Sequence, residues 1–140
     1  MEYTPVRIGI LGCGTVGQAL VALINEQREV ISSRTGLDLT IESIAVRNPN
    51  IDRNLDGVSQ KFSGDAGSVA VSENIDIVVE LIGGVDPAKE LLESALLSGK
   101  PVVTANKELL AKHGPELFEI ADRGGVDLLF EAAVAGGVRT

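Results

Sequence analysis

Two rhythms of apolar positions alternate along this chain. "VRIGILG" at residues 6–12 is a short apolar run closed by glycine, the pattern of a buried strand. From Thr15 the residues Val16, Ala19, Leu20, Leu23 and Ile24 recur at helical spacing, and Val30 and Ile31 extend the stripe. Ser32, Ser33 and Gly36 predict its end. "LTIESIAV" at 39–46 alternates and then turns wholly apolar, which predicts a second strand. Residues 47–68 are rich in Asn, Asp, Gly and Ser and predict a long loop with one helical turn. "IDIVVEL" at 75–81 is a third strand, ended by Gly83 and Gly84. Asp86 and Pro87 then read as a capping carboxylate and a first-position proline, opening a helix that stops at Gly99. "PVVT" at 101–104 is the next strand, followed by helical segments 107–113 and 115–123 divided by Gly114. "VDLLF" at 126–130 is the last strand.

Strands that are near-continuous apolar runs, alternating with helices, predict a doubly wound α/β fold: a mainly parallel sheet between two helical layers. All 140 residues read as one domain of this Rossmann type. Composition changes little in that picture. A net charge of −8 argues against general nucleic-acid binding, and four aromatic residues (Tyr3, Phe62, Phe118 and Phe130) leave few platforms for stacked bases. No apolar run reaches the length of a membrane span and the first residues carry no secretory pattern, so no membrane partner and a cytoplasmic setting are expected. The single cysteine, Cys13, excludes an internal disulfide and reads as a small packing residue.

Chemistry enters with "GCGTVG" at 12–17, a G-x-G-x-x-G match between the first strand and the first helix. In that context Gly12 permits a tight turn, Gly14 leaves room for a pyrophosphate, and Gly17 lets the helix approach the sheet. The N–H groups at the helix start would face the phosphates. A glycine-rich turn with no ligand is the plainer alternative. NAD sites usually place an acid at the end of the second strand to hold the ribose hydroxyls. Here that strand ends "IAVRN", with Arg47 in the acid's place, and a guanidinium pairs well with a 2′-phosphate. NADP is therefore favoured over NAD, with Lys61 as a candidate second cation. The alternative is a solvated loop arginine.

Ligands of doubly wound sheets bind beyond the carboxyl ends of the strands. Three further stretches belong there: "ELIGG" at 80–84, whose Ile82 and Gly83 would meet the cofactor, "TANK" at 104–107, and "EAAVAGG" at 131–137. Asn106 can cap a helix, but a cap does not explain Lys107 beside it. His113 is read as a partner for the final carbonyls of a short helix.

"GCGTVG", "VELIGG" followed by "DPA", "GKPVVTANKELLA" and "FEAAVAGG" occur in one order and resemble the signatures of homoserine dehydrogenase. The resemblance implies hydride transfer between NAD(P)H and L-aspartate 4-semialdehyde to give L-homoserine, on the route to threonine and methionine. It also implies a homodimeric full-length enzyme. It places Thr15 and Val16 in the cofactor loop and Lys107 at the junction of cofactor and substrate. It further implies a monovalent cation, usually sodium, on backbone oxygens at Glu131, Val134, Gly136 and Val138, although the same composition suits a plain loop. Where the family continues into a substrate and dimerisation domain, this chain ends at Thr140. The expectation is a truncated chain that binds dinucleotide without reducing the semialdehyde. Two alternatives are another Rossmann reductase, such as an aspartate dehydrogenase, and a non-catalytic nucleotide-sensing module.

Overall fold

The computed structural model describes residues 2–50 and 61–131. Six strands form one sheet: β1 (Thr4–Leu11), β2 (Leu37–Ala45), β3 (Phe62–Ser63), β4 (Ile77–Glu80), β5 (Val102–Thr104) and β6 (Leu128–Phe130). Among the described residues five helices connect them: α1 (Thr15–Glu26), α2 (Arg28–Thr35), α3 (Ala66–Val71), α4 (Ala88–Leu97) and α5 (Lys107–Gly124). Every strand pair is parallel, and the spatial order is β3-β2-β1-β4-β5-β6. The order reverses between β1 and β4, which opens a crevice where both chains leave the sheet at their carboxyl ends.

Alternation along each strand sorts its side chains between two cores. Leu11, Val78, Val102 and Leu128 pack with α3, α4 and α5, whereas Ile8, Ile10, Ile44 and Val79 pack with Val21 and Ile24 of α1. Leu92, Leu96 and Leu117 are almost wholly buried, so truncating any of them to Ala costs about 2–5 kcal/mol. A Cβ on Gly9 would lie 2.5 Å from Ile75 Cδ1, so the missing side chain in β1 admits the Ile75 segment that leads into β4.

Several local expectations are corrected. The first helical stripe breaks at Gln27 (φ −101°, ψ 11°), and helix then resumes through Ser32 and Ser33 as far as Thr35. Serine hydroxyls need not break a helix when they bond back to it, as Ser33 does to the Val30 carbonyl at 3.0 Å. Gly36, in the left-handed region at φ 78°, makes the actual stop. Asp86 does not cap α4. Pro87 occupies the cap position after a cis Asp86–Pro87 bond, and the helix begins at Ala88. The expected division of the last helix is present: residues 107–124 are two helical segments that meet at a kink at His113 (φ −132°, ψ 15°), one residue before Gly114, and Pro115 stands near the start of the second segment, where its missing N–H costs little. Within the stretch read as a loop, residues 51–60 lie outside the described residues. The remainder contains β3, whose two residues are too few to show a strand pattern, and the start of α3.

Candidate functional site

The glycine turn stands at the carboxyl end of β1. The Gly12 N–H donates to the Ala45 carbonyl at 2.8 Å, which ties the turn to the end of β2. Gly12 has φ 93°, and a Cβ there would lie 3.1 Å from Ile82 N and from Leu81 C. Both conformation and space therefore require glycine. Gly14 differs: a Cβ there would meet nothing within 4 Å, so its bareness serves open space in front of the turn. Gly17 is buried, and its Cβ would sit 3.1 Å from the Gly12 carbonyl, so it sets how closely α1 approaches the turn. Helix α1 begins after Gly14 with no side-chain cap and no acid in its first turn. Its opening N–H groups and positive dipole end, with Thr15 and Val16 in the first turn, thus remain available to an anion. Cys13 packs against the α1-side core, the packing role expected of it.

A cleft of about 460 Å³ lies before this turn and is lined in part by Gly12, Gly14, Arg47, Gly64 and Ile82. Arg47 is exposed and has no ion pair among the described residues. Lys61 is not brought to it. That lysine lines a separate hollow at the β2–β3 edge, with Glu42 and Ser43. A smaller hollow of about 150 Å³ lies on the β4–β5 side, bounded by Val16, Leu81, Gly83, Ala105 and Asn106. A larger cleft, about 710 Å³ beside Arg28 and Asp38, has no glycine turn in its lining, and these two residues pair with each other at 2.6 Å. Size is a poorer guide here than position at the strand ends.

Between the two site hollows runs the loop after β4. Gly83 and Gly84 have φ 83° and 72°, a conformation that favours glycine, and no atom would crowd an added Cβ at either. Glu80, fully buried at the end of β4, holds this loop. One carboxylate oxygen accepts from the N–H groups of Ile82 at 2.9 Å and Gly83 at 3.0 Å. The other accepts from the Thr104 hydroxyl, which itself accepts from the Asn106 N–H at 3.0 Å. Asn106 Nδ2 donates to the Gly84 carbonyl at 2.6 Å, and its Oδ1 caps α5 by accepting from Leu109 N–H at 3.0 Å. The predicted cap is therefore present, within a network the sequence reading did not foresee. Its only trace in the sequence was an acid ending an apolar strand before two glycines.

Lys107 follows directly as the first residue of α5. It is exposed, lines neither hollow, and has no ion pair among the described residues. The positive end of a helix dipole disfavours a cation at this position. His113 does not pair with helix carbonyls as expected. Its Nδ1 lies 3.0 Å from Glu116 Oε1, and this contact holds the Glu116 carboxyl below its ordinary range. Of the expected cation ligands only Glu131 is described, and its N–H donates to the Thr104 carbonyl at 3.0 Å. Val134, Gly136 and Val138 lie outside the described residues.

Residues 12–131 match the family model described as "Homoserine dehydrogenase, NAD binding domain". The chain belongs to this family. Homoserine dehydrogenase from Pseudomonas aeruginosa is 45% identical over 134 residues, which cover 96% of this chain and 30% of that protein. The Bacillus subtilis homoserine dehydrogenase is 38% identical, over 95% of this chain and 31% of that protein. The crystal structure of S. aureus homoserine dehydrogenase at pH 7.5 superposes with a TM-score of 0.88 and 39% identity, over 97% of this chain and 34% of that one. A hyperthermophilic archaeal homoserine dehydrogenase in complex with NADPH gives a TM-score of 0.75 at 26% identity, over 93% of this chain and 44% of that one. The chain thus spans about a third of the length of the curated relatives it matches. Among the described residues no helix is long and apolar enough to cross a membrane.

Proposed function

We propose that this chain supplies the NADP(H)-binding part of a homoserine dehydrogenase, with the dinucleotide lying across the switch point between β1 and β4. The observation that carries the reading is the open space at Gly14, set in one cleft between an uncapped helix start and Arg47, which has no ion pair among the described residues. Gly12, Gly14, Thr15, Val16 and Gly17 would hold the pyrophosphate, chiefly through N–H groups of the turn and α1. Arg47 would hold the 2′-phosphate through parallel N–H donors. Ile82 and Gly83 would bound the nicotinamide half.

When bound, the nicotinamide supplies or accepts hydride. Lys107 would place its ammonium at the carbonyl or alcohol oxygen of the substrate, stabilising developing negative charge or relaying a proton. Its presence at a helix start that disfavours cations supports a role beyond surface solvation. The substrate proposed for the whole protein is L-aspartate 4-semialdehyde, reduced to L-homoserine in a cytoplasmic homodimer. Backbone oxygens of Glu131, Val134, Gly136 and Val138 complete the proposal as a sodium site, since carbonyl oxygens suit a hard cation. Nucleic acid and membrane have no part in it.

The test is a fluorescence titration of NADPH and NADH with the chain and its Arg47→Ala variant. A selective loss of NADPH affinity is expected. Equal binding of NADPH by both proteins would overturn the 2′-phosphate assignment, and no binding of either dinucleotide by the unmodified chain would overturn the function.

A further inference from the structure

A carboxylate buried without a cation is costly unless donors surround it. Glu80 is such a group. It is fully buried, and among the described residues its partners are two backbone N–H groups, a hydroxyl and the Asn106 amide, the last at 3.4 Å. These partners belong to two segments that converge only in the fold, the loop after β4 and the end of β5. Asn106 adds a second tie, since its amide also grips the Gly84 carbonyl and its oxygen caps α5. The loop is pressed from its other side by the glycine turn, where Gly12 has room for no side chain against Leu81 and Ile82.

We propose that Glu80 is a positioning residue for the nicotinamide half of the site. It fixes the N–H groups of the 82–83 loop and, through Thr104 and Asn106, the start of the helix that presents Lys107. The inference rests on the dinucleotide reading above. A doubly wound sheet binds its two mononucleotide halves on either side of the switch point, and the end of β2 serves the adenosine side. Glu80 stands on the other side. It lines the hollow on that side with Gly83, Ala105 and Asn106, so its effect falls chiefly on the half that meets β4 and β5. Acceptor capacity on both oxygens is the essential property: a glutamine that keeps its oxygen on the Ile82 and Gly83 N–H groups turns its NH₂ towards Thr104, whose hydroxyl proton then loses its acceptor.

The experiment compares NADPH with adenosine 2′,5′-bisphosphate, which carries the adenosine half alone. Both are titrated against the unmodified chain and Glu80→Gln, with circular dichroism and thermal unfolding to establish folding. For folded Glu80→Gln, NADPH affinity is expected to fall about tenfold or more while the bisphosphate stays within about twofold, the scale of one buried group left facing the wrong partner. A general structural role would weaken both probes together and overturn the proposal, as would unchanged NADPH binding. Thr104→Val and Thr104→Ser supply the second arm should Glu80→Gln not fold. Valine deletes the donor to Glu80 and the acceptor of the Asn106 N–H, and is expected to weaken NADPH about threefold without affecting the bisphosphate, and serine is expected to restore it. Equal NADPH binding by both Thr104 variants would overturn the proposal. Failure of the unmodified chain to bind either probe would instead sink the dinucleotide reading itself.

Discussion

At the amino end of the sheet, Arg7 and Asp76 join β1 to the segment entering β4. The guanidinium makes two parallel bonds of 3.0 Å each, and the Arg7 N–H adds a third at 2.7 Å. Beside them Lys100 buries its stem and donates to the Ile75 carbonyl at 2.9 Å. At the carboxyl end, Arg47 and Lys107 have no ion pair among the described residues, while the buried Glu80 is surrounded by uncharged donors. Charge at the first end fastens strands to one another. At the second it is withheld from internal pairing, and the backbone there is bare or held in place. The same sheet thus separates a structural end from one arranged to receive a ligand.

The most severe way to break that contrast is Gly14→Val. Open space surrounds the position, so folding should survive, with only the small loss of a less suitable helix cap. Binding of NADPH and NADH should both fall on the order of 100-fold, as several charge-assisted bonds to phosphate are lost. Calorimetric titration beside a melting curve checks both halves of this statement. Undiminished binding would show that the space at Gly14 is not where phosphate sits.

Arg47→Ala should act more selectively. NADPH affinity is expected to drop about 10-fold or more, with little change for NADH, because only the former carries the 2′-phosphate. The loss should shrink as salt rises, since an exposed guanidinium is screened. A titration series in sodium chloride measures that slope.

The amino end should respond in the opposite sense. Asp76→Asn is expected to lower the melting temperature by a few degrees, the scale of an exposed ion pair, and to leave dinucleotide affinity unchanged. Acid should reveal the same pair. The hydrogen bond from Arg7 holds the Asp76 carboxyl below its ordinary range. Its contribution is complete above the unfolded carboxylate value and is lost as pH falls through the lower folded value. Stability of Asp76→Asn, followed by urea unfolding, should therefore decline less on acidification than that of the unmodified chain. A parallel decline would assign acid sensitivity to other carboxylates. The smallest effect is expected at His113→Ala, whose exposed contact with Glu116 should change melting slightly and binding not at all.

How far the sequence alone reaches follows the same division. Strands β1 and β4 were legible as short apolar runs, β2 as an alternation that turns apolar, and the glycine turn because strand and helix flank it in order. The six-stranded parallel sheet with helices on both faces agrees with that reading. The break at Gln27 left no trace, since the apolar stripe continues past it and only the backbone turns. Asp86 looked like a cap because it precedes a proline, but the helix begins one residue later than that spacing implies, with Pro87 at the cap position. The Glu80 network was hidden for another reason. Its partners Thr104 and Asn106 lie 24 and 26 residues away, a separation that has no fixed pattern in a sequence. Lys107 was singled out because a cap explains Asn106 but not the lysine beside it at a strand end, and the fold explains how it arrives there: Asn106 ends the β5 loop and begins α5 in one residue.

The contrast between the two ends is tested most directly by a nuclear magnetic resonance titration of the 14.6 kDa chain with NADPH, following backbone amides. Shifts are predicted at Gly12, Gly14, Thr15, Val16, Gly17, Arg47, Ile82, Gly83 and Lys107, with Arg7, Asp76 and Lys100 unmoved. Shifts centred on the amino end, or none at saturating NADPH, would contradict the account.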